Sequence, residues 1–507
     1  MGFRTEIRRL LPEYEHRGIQ RIPPENRTHK KIYEAFTLWF TINLAVSNVG
    51  IGALGRTIFG LGLRDSLLVI WFICPLGASL AGFTAMLGPR TGLRTMTITR
   101  YSFGWFGAVM LAALTAINCI GWSAINVLFA GDFIRIVSDE TFPAWGGIVI
   151  VSFVTIVVSV YGYRYIHLYE KWLLLPTLFA FATVFFNQCR NFYLMPNADW
   201  NTPGEVLGSH VVSFISTIFS GSCGWISYAA DFTAAMPVET PPWKVFWLTT
   251  MGVLLSIGTM NTMGVLLVSA LYSQYGEIAL TASGGLFGLS VANLGVFGKF
   301  ILILLALAVI GNNIPNDYSV SLCLQVWGHV PEKVPRAVYS IIFGIVYTLV
   351  ACVAKGIDTT LNPILIIITY YVAPYSCVML LEHFVFRRGV YNPMIWNQPG
   401  LLPIGWAAIA SFLIGCVGPV LGFGAWPDWW VGPIADLVNK PYGVDIGFEL
   451  AYGITLISYL ILRPIELRLS KHRGMGPESQ FESIKVLQSV IPVEYVSSGI
   501  DAKAVFQ

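Results

Sequence analysis

The densest group of side chains that could bind a ligand lies in the sequence GNNIPNDY at residues 311–318, inside a long apolar segment. Carboxamides donate and accept hydrogen bonds, and a polar group left unsatisfied in a membrane is costly. Helical spacing places Asn312 and Asn316 on one face, and Asn313 and Asp317 on the neighbouring face. The cluster predicts a binding site, with a polar clamp between helices as the alternative.

Pro315 lies within the same stretch and alters the helix that carries it. Proline has no backbone N–H, so the carbonyl of Gly311 loses its usual helical donor and the helix tends to kink. The freed carbonyl adds one more hydrogen-bond acceptor beside the amides.

Two tryptophans supply flat apolar surfaces that would complement these amides. Trp122 and Asn126 are four residues apart and share a helix face, and Trp225 lies in a separate glycine-containing segment. Indoles stack on aromatic rings while amides hydrogen-bond to ring edges, which suits a flat, uncharged heterocycle. The alternative for a single tryptophan is that it faces lipid, which is more common. The alternative for the site as a whole is a transporter for amino acids or amines, which would bind a charged substrate.

Two apolar segments are interrupted by small and polar residues. Residues 39–50 have the sequence WFTINLAVSNVG, and residues 220–228 have the sequence SGSCGWISY. Irregular backbone inside a membrane must line a cavity or be covered by protein. Because the segments lie five predicted spans apart, they fit an inverted repeat whose broken helices form a transport site. Ser47 and Asn48 are the candidate contacts in the first segment, and close packing at glycines is the alternative.

Two acidic residues in the predicted spans are candidates for coupling transport to protons. Asp231 follows the second interrupted segment, and Asp317 belongs to the asparagine cluster. Ionisable groups are costly inside a membrane, so those present there are functional candidates. Helix capping is the alternative role for Asp231, and accepting hydrogen bonds from neighbouring amides is the alternative for Asp317.

The composition of the chain predicts an all-α integral membrane protein. Of its 507 residues, 55% are hydrophobic and only 12% are charged. The 31 basic and 28 acidic residues nearly balance, which argues against nucleic acid as a partner. The eight cysteines are scattered, mostly within apolar stretches, and form neither a disulfide framework nor a zinc pattern.

A spanning helix needs about 20 mostly apolar residues, and twelve segments meet this requirement. They divide the chain into an amino-terminal tail (1–34), a transporter domain (35–463) and a carboxy-terminal tail (464–507). The predicted spans are 35–58, 66–88, 103–130, 144–162, 171–187, 210–236, 243–272, 291–327, 337–354, 361–381, 404–424 and 446–462.

The distribution of lysine and arginine predicts the orientation of these spans. The side that carries both termini has 24 of the 31 basic residues, and the opposite side has 7. Because basic residues are retained in cytoplasmic loops, both termini are predicted to be cytoplasmic.

Four sequences resemble those of the fungal purine-cytosine permeases, a branch of the nucleobase-cation symporter family. They are GNNIPN at 311–316, GWSAIN at 121–126, YAADFT at 228–233 and HLYEKW at 167–172. The resemblance extends over residues 35–463. It implies a LeuT-like fold of five plus five inverted helices with two more, located in the plasma membrane and coupled to protons.

The same resemblance implies which residues contact the substrate. Asparagines and a proline of spans three and eight would bind it, and two tryptophans would stack on it: Asn126, Asn312, Asn313, Pro315, Asn316, Trp122 and Trp225. The chain departs from the family pattern in two places. It has WFTIN at 39–43 where WFSAN is expected, and Asn313 stands where some relatives have glutamate. Either Ser47 or Asn48 is the contact in span one.

These observations predict a secondary transporter that imports purine bases and cytosine with protons by alternating access, without a cofactor. Its partners are the nucleobase, the proton and the lipid bilayer. A permease for another neutral heterocycle, such as vitamin B6, and a non-transporting receptor on the same scaffold are the alternatives. An enzyme is disfavoured, because no histidine lies deep in a predicted span and no metal or nucleophile motif is present.

Overall fold

The computed structural model describes residues 18–161, 163–193, 204–275, 285–354, 367–424, 430–438 and 443–475. Within these ranges the regular elements are all helices, which confirms the predicted all-α class. The principal helices are α1 (Glu34–Asn43), α2 (Val46–Thr57), α3 (Leu63–Ala85), α4 (Thr95–Val137), α5 (Ala144–Tyr161), α6 (Tyr163–Gln188), α7 (Gly204–Cys223), α8 (Pro242–Tyr275), α9 (Val296–Gln325), α10 (Arg336–Ala354), α11 (Val372–Leu381), α12 (Trp406–Gly415), α13 (Val417–Gly422) and α14 (Gly447–Leu469).

Shorter helical elements connect these helices or extend them. They are Pro24–Asn26, Leu87–Thr91, Cys189–Asn191, Gly224–Ser227, Ala229–Phe232, Gly285–Val291, Ala292–Leu294, His329–Lys333, Ala435–Leu437 and a π-helical turn at Glu382–Phe386.

Nine helices of the described ranges are long and apolar enough to cross a membrane, and the bent pair α1 and α2 makes a tenth candidate. The predicted span 361–381 is described only from residue 367, where it leads into α11. The predicted span 404–424 consists of the two short helices α12 and α13. This architecture is consistent with twelve spans.

The first span is broken between α1 and α2, which meet at an angle of 58°. The backbone of Ala45 is extended at the break. Two amides support the broken ends, since Nδ2 of Asn43 donates to the carbonyl of Trp39 and Nδ2 of Asn48 donates to the carbonyl of Asn43, each at 2.9 Å. The polar residues in this segment therefore replace hydrogen bonds that the helix loses there.

The sixth span is also broken, because α7 ends at Cys223 and two 3₁₀ turns, Gly224–Ser227 and Ala229–Phe232, follow it. Tyr228 separates the turns and has non-helical dihedral angles. The two broken spans thus occupy the two positions that the sequence predicted. Both lie beside the central helices α4 and α9, which pack along each other.

Residues 18–29 form a segment, the amino-terminal strap, that packs across one end of the helix bundle. Arg27 is buried and donates to the carbonyls of Pro89 at 2.6 Å and Thr91 at 3.2 Å. The amide of His29 donates to the carbonyl of Ala235, just after the second break. The strap therefore joins the loop after α3 to the segment after the broken sixth span.

The chain after α14 packs at the same end as the strap. In the loop between α11 and α12, the sulfur of Met394 accepts from Arg21 of the strap. The carbonyl of Leu402 in this loop accepts from Arg473, beyond α14, at 2.8 Å. Residues 1–17 of the predicted amino-terminal tail and 476–507 of the predicted carboxy-terminal tail lie outside the described residues.

Candidate functional site

A small cavity lies where the two broken spans meet α4 and α9. Its lining contains amides, hydroxyls and aromatic rings and no charged side chain. The lining residues are Asn43, Ser47, Asn48, Asn118, Trp122, Ser220, Gly221, Gly224, Trp225, Tyr228, Asn312 and Asn316. Such a lining can hydrogen-bond and stack on an uncharged ring.

Most of the substrate contacts predicted from the sequence line this cavity. The first broken span contributes Ser47 and Asn48, the second contributes Trp225, and the central helices contribute the remainder: Trp122, Asn312 and Asn316.

Asn126 and Asn313 lie behind the cavity wall. Nδ2 of Asn126 donates to Oδ1 of Asn312 at 2.7 Å and to Oδ1 of Asn313 at 2.8 Å. Nδ2 of Asn313 donates to the carbonyl of Ser123 at 3.2 Å. These two asparagines therefore join α4 to α9 and position Asn312 instead of lining the cavity. Pro315 is buried in α9 and likewise lies outside the lining.

Asn312 faces the cavity but is also held at both ends of its amide. Its oxygen accepts from Asn126, and its nitrogen donates to the carbonyl of Ile42 at 2.5 Å. Ile42 belongs to the last turn of α1 before the break. Asn312 therefore connects the central helices to the first broken span.

Asn316 accepts a hydrogen bond from a tyrosine that is not among the predicted contacts. The hydroxyl of Tyr228 donates to Oδ1 of Asn316 at 2.8 Å. The ring of Tyr228 also lies edge-on to Trp225, with 5.3 Å between ring centroids. Because Trp225 makes a similar contact with Trp39 at 5.1 Å, its indole plane is fixed by two neighbours.

Asn118 is a further cavity residue missing from the predicted contacts. It lies four residues before Trp122 and eight before Asn126, so the three occupy one face of α4. This spacing in the sequence could have identified Asn118 as a cavity residue. Gly221 and Gly224 line the cavity because the broken sixth span brings its backbone against it.

The two predicted coupling acids lie away from the cavity lining. Oδ1 of Asp231 accepts from the backbone N–H of Thr95 at 2.8 Å, at the first residue of α4, and the Asp231 carbonyl accepts from Arg94. This is a helix-capping contact. Asp317 is buried beside Ser159 of α5 and beside Arg336 and Ser340 of α10.

A third acid, Glu170 of α6, is buried without a hydrogen bond to either carboxyl oxygen among the described residues. A Cβ added to Gly311 would lie 3.3 Å from Oε1 of Glu170. Gly311 is also the residue whose carbonyl Pro315 deprives of a helical donor. Glu170 therefore lies against the loosened turn of α9, immediately before the asparagine cluster.

The chain is similar to known permeases. A family model described as a permease for cytosine/purines, uracil, thiamine, allantoin matches residues 21–444. The chain is 34% identical over 476 residues to the purine-cytosine permease FcyB of Emericella nidulans, covering 92% of this chain and 91% of the relative. It is 34% identical over 468 residues to the purine-cytosine permease FCY2 of Saccharomyces cerevisiae, covering 90% and 86%.

Among solved structures, the fold is similar to that of Mhp1, a nucleobase-cation-symport-1 family transporter in a closed conformation with bromovinylhydantoin bound. The TM-score is 0.68 at 15% identity, covering 90% of this chain and 98% of Mhp1. This similarity confirms the LeuT-like fold.

Proposed function

The chain belongs to the family of permeases for cytosine/purines, uracil, thiamine and allantoin, and from this membership we propose that it imports purine bases and cytosine together with protons. It is a multi-pass membrane transporter, and we place it in the plasma membrane with both ends of the chain in the cytoplasm. The observation that carries the proposal is the cavity at the two helix breaks, lined by amides and indoles.

The chemistry of the cavity favours an uncharged aromatic substrate. An ammonium or carboxylate group buried among neutral side chains would lack a counter-charge, which is unfavourable in a membrane. Trp122 and Trp225 offer ring faces, while Asn316 and Asn118 offer amide edges. A nucleobase has both a flat face and a donor and acceptor edge, so it can use both kinds of group.

The position of the cavity supports alternating access. Its walls come from two broken spans, whose short halves can tilt, and from α4 and α9. The helix α4 is kinked at Gly104, outside the cavity lining, and both α4 and α9 run past the cavity as continuous helix. Movement of the broken spans against the continuous pair would expose the bound base first to one side of the membrane and then to the other.

Six acids are buried among the described residues, and three of them have partners outside the site: Glu382 and Glu466 pair with Arg463, and Asp445 accepts from Tyr370. Of the other three, Glu170 has the surroundings that best suit a proton carrier. Asp231 already caps α4, and Asp317 lies near the cation of Arg336. Glu170 has no such partner among the described residues, so its charged form is disfavoured where it stands. A protonated Glu170 could donate to the carbonyl that Pro315 frees, beside the substrate amides. Proton uptake would then accompany closure of the site.

Uptake of radiolabelled cytosine in cells that lack their own base permeases tests the proposal. The assay is made at acidic and neutral external pH, with adenine, hypoxanthine, uracil and pyridoxine as competitors. We expect saturable uptake that rises with acidity and is inhibited by purines. Inhibition by pyridoxine alone would indicate a vitamin B6 permease, and binding without accumulation would indicate a receptor.

A further inference from the structure

The amide of Asn118 lines the cavity and has one half without a hydrogen bond. Its side chain is buried, and its Oδ1 accepts from the hydroxyl of Thr369 at 3.1 Å. Its Nδ2 has no hydrogen-bond partner among the described residues. A Cβ added to Gly224 would lie 3.8 Å from this nitrogen, so the nitrogen lies next to the second helix break, at the edge of the cavity.

The other amide nitrogens in the cavity lining all donate to the protein. Their acceptors are the carbonyls of Trp39, Asn43 and Ile42 for Asn43, Asn48 and Asn312, and the hydroxyl of Ser123 for Asn316. Asn118 therefore differs from them, because it presents a buried donor without an acceptor. Buried donors are almost always satisfied, so an exception inside a binding cavity points to a ligand atom.

We propose that Nδ2 of Asn118 donates a hydrogen bond to an acceptor atom of the bound base, and that Thr369 sets the direction of this bond. The proposal rests on the function proposed above and names the chemistry of one substrate edge. The acceptor is a ring nitrogen without hydrogen or an exocyclic carbonyl oxygen, both of which occur in cytosine and purines. A heterocycle with only C–H or N–H groups at this edge would leave the donor unpaired.

Thr369 acts as a positioning residue in this scheme. It is buried just before α11, and its hydroxyl holds the oxygen of the Asn118 amide. Without that hydroxyl the amide can rotate by half a turn and present its oxygen to the cavity. The site would then prefer a donor on the substrate where it now prefers an acceptor.

The test pairs variants of the protein with variants of the ligand. Inhibition of cytosine uptake is measured for adenine and for 1-deaza-, 3-deaza- and 7-deazaadenine, each of which replaces one ring nitrogen by C–H. In the unaltered protein, one analogue should inhibit roughly tenfold more weakly than adenine. In Asn118→Ala, adenine should weaken to the level of that analogue, whose own inhibition should change little.

Variants of Thr369 provide a second and independent test. Thr369→Ser keeps the hydroxyl and should retain the preference for adenine, whereas Thr369→Val should lose it. If Asn118→Ala does not reach the cell surface, this pair alone decides the matter. Equal weakening of adenine and all three analogues would overturn the proposal in favour of a packing role. If the unaltered protein neither takes up nor binds any of the bases, the proposed function itself is wrong.

Discussion

Nδ2 of Asn126 lies 2.7 Å from Oδ1 of Asn312, and this contact joins α4 to α9, the two helices that border the cavity beside the broken spans. The same nitrogen donates to Asn313, so both hydrogens of the Asn126 amide are used. Asn312 then donates to the carbonyl of Ile42 at the first helix break. A row of hydrogen bonds therefore runs from α4 through α9 to α1 and fixes the amide that faces the substrate.

Asn126→Ala should disable transport by releasing Asn312. The change removes two hydrogen bonds, so we expect cytosine uptake at low concentration to fall by roughly tenfold or more. Uptake and the surface abundance of a tagged transporter are measured in the same cells. Asn293→Ala is the matched control, because Asn293 is exposed and donates to Asn187 away from the cavity. Normal uptake by Asn126→Ala would contradict the positioning role.

Tyr228→Phe should weaken substrate binding through Asn316. The substitution keeps the ring beside Trp225 and removes the hydroxyl that donates to Oδ1 of Asn316. We expect the KM for cytosine to rise several-fold, and a larger loss in Asn316→Ala, which also removes the substrate contact. Tyr339→Phe controls for loss of a hydroxyl, since Tyr339 bonds the carbonyl of Pro331 outside the cavity. An unchanged KM in Tyr228→Phe would show that the hydrogen bond from Tyr228 to Asn316 does not contribute to substrate binding.

The sequence predicted the helix faces of the site better than the depth of each side chain. Spacing placed Asn312 and Asn316 on one face, and both line the cavity. It placed Asn313 and Asp317 on the neighbouring face, and both lie outside the lining. For Asn126, spacing placed the residue on a face shared with Trp122. It could not show that a second helix approaches closely enough to accept its hydrogen bonds, because that approach depends on the tertiary fold.

Glu170 shows how an uncertain helix boundary can hide a residue. The predicted fifth span began at residue 171, which placed Glu170 in a loop, whereas α6 begins at Tyr163. Polar residues such as Arg164 and Lys171 lowered the apparent hydrophobicity of this first part of the helix. The two helix breaks, by contrast, were predictable, because small and polar residues interrupt two apolar segments that lie five predicted spans apart.

Trp122→Phe should impair transport less than Trp122→Ala. A phenylalanine retains a ring face for stacking, while alanine removes it, and aromatic pairs contribute about 0.5–1.5 kcal/mol beyond burial. We expect the KM for adenine to rise modestly in the first variant and about tenfold in the second. Trp145→Ala, at an exposed position on α5, is the control for loss of a tryptophan. Equal KM values in the two Trp122 variants would indicate a packing role.

Arg27→Ala should loosen the amino-terminal strap. Burial lowers the pKa of Arg27 to about 10, which leaves the guanidinium charged at neutral pH. Its hydrogen bonds to the carbonyls of Pro89 and Thr91 would be lost, so we expect the melting temperature of the purified protein to fall. Lys31→Ala is the control, because Lys31 is exposed and makes only a surface ion pair with Glu34. Equal melting temperatures for the two variants would show that the strap adds no stability.

Glu170→Gln should separate substrate binding from proton coupling. Glutamine keeps the size and a donor of the protonated side chain but cannot release a proton. If Glu170 carries the proton, the variant should still bind cytosine and exchange it across the membrane, yet fail to accumulate it when the outside is acidic. Counterflow in proteoliposomes measures exchange, and uptake under an imposed pH gradient measures coupling. Asp317→Asn is the matched control and should retain both activities. Gradient-driven accumulation by Glu170→Gln would exclude this glutamate as the carrier, and loss of accumulation in Asp317→Asn alone would assign the role to Asp317.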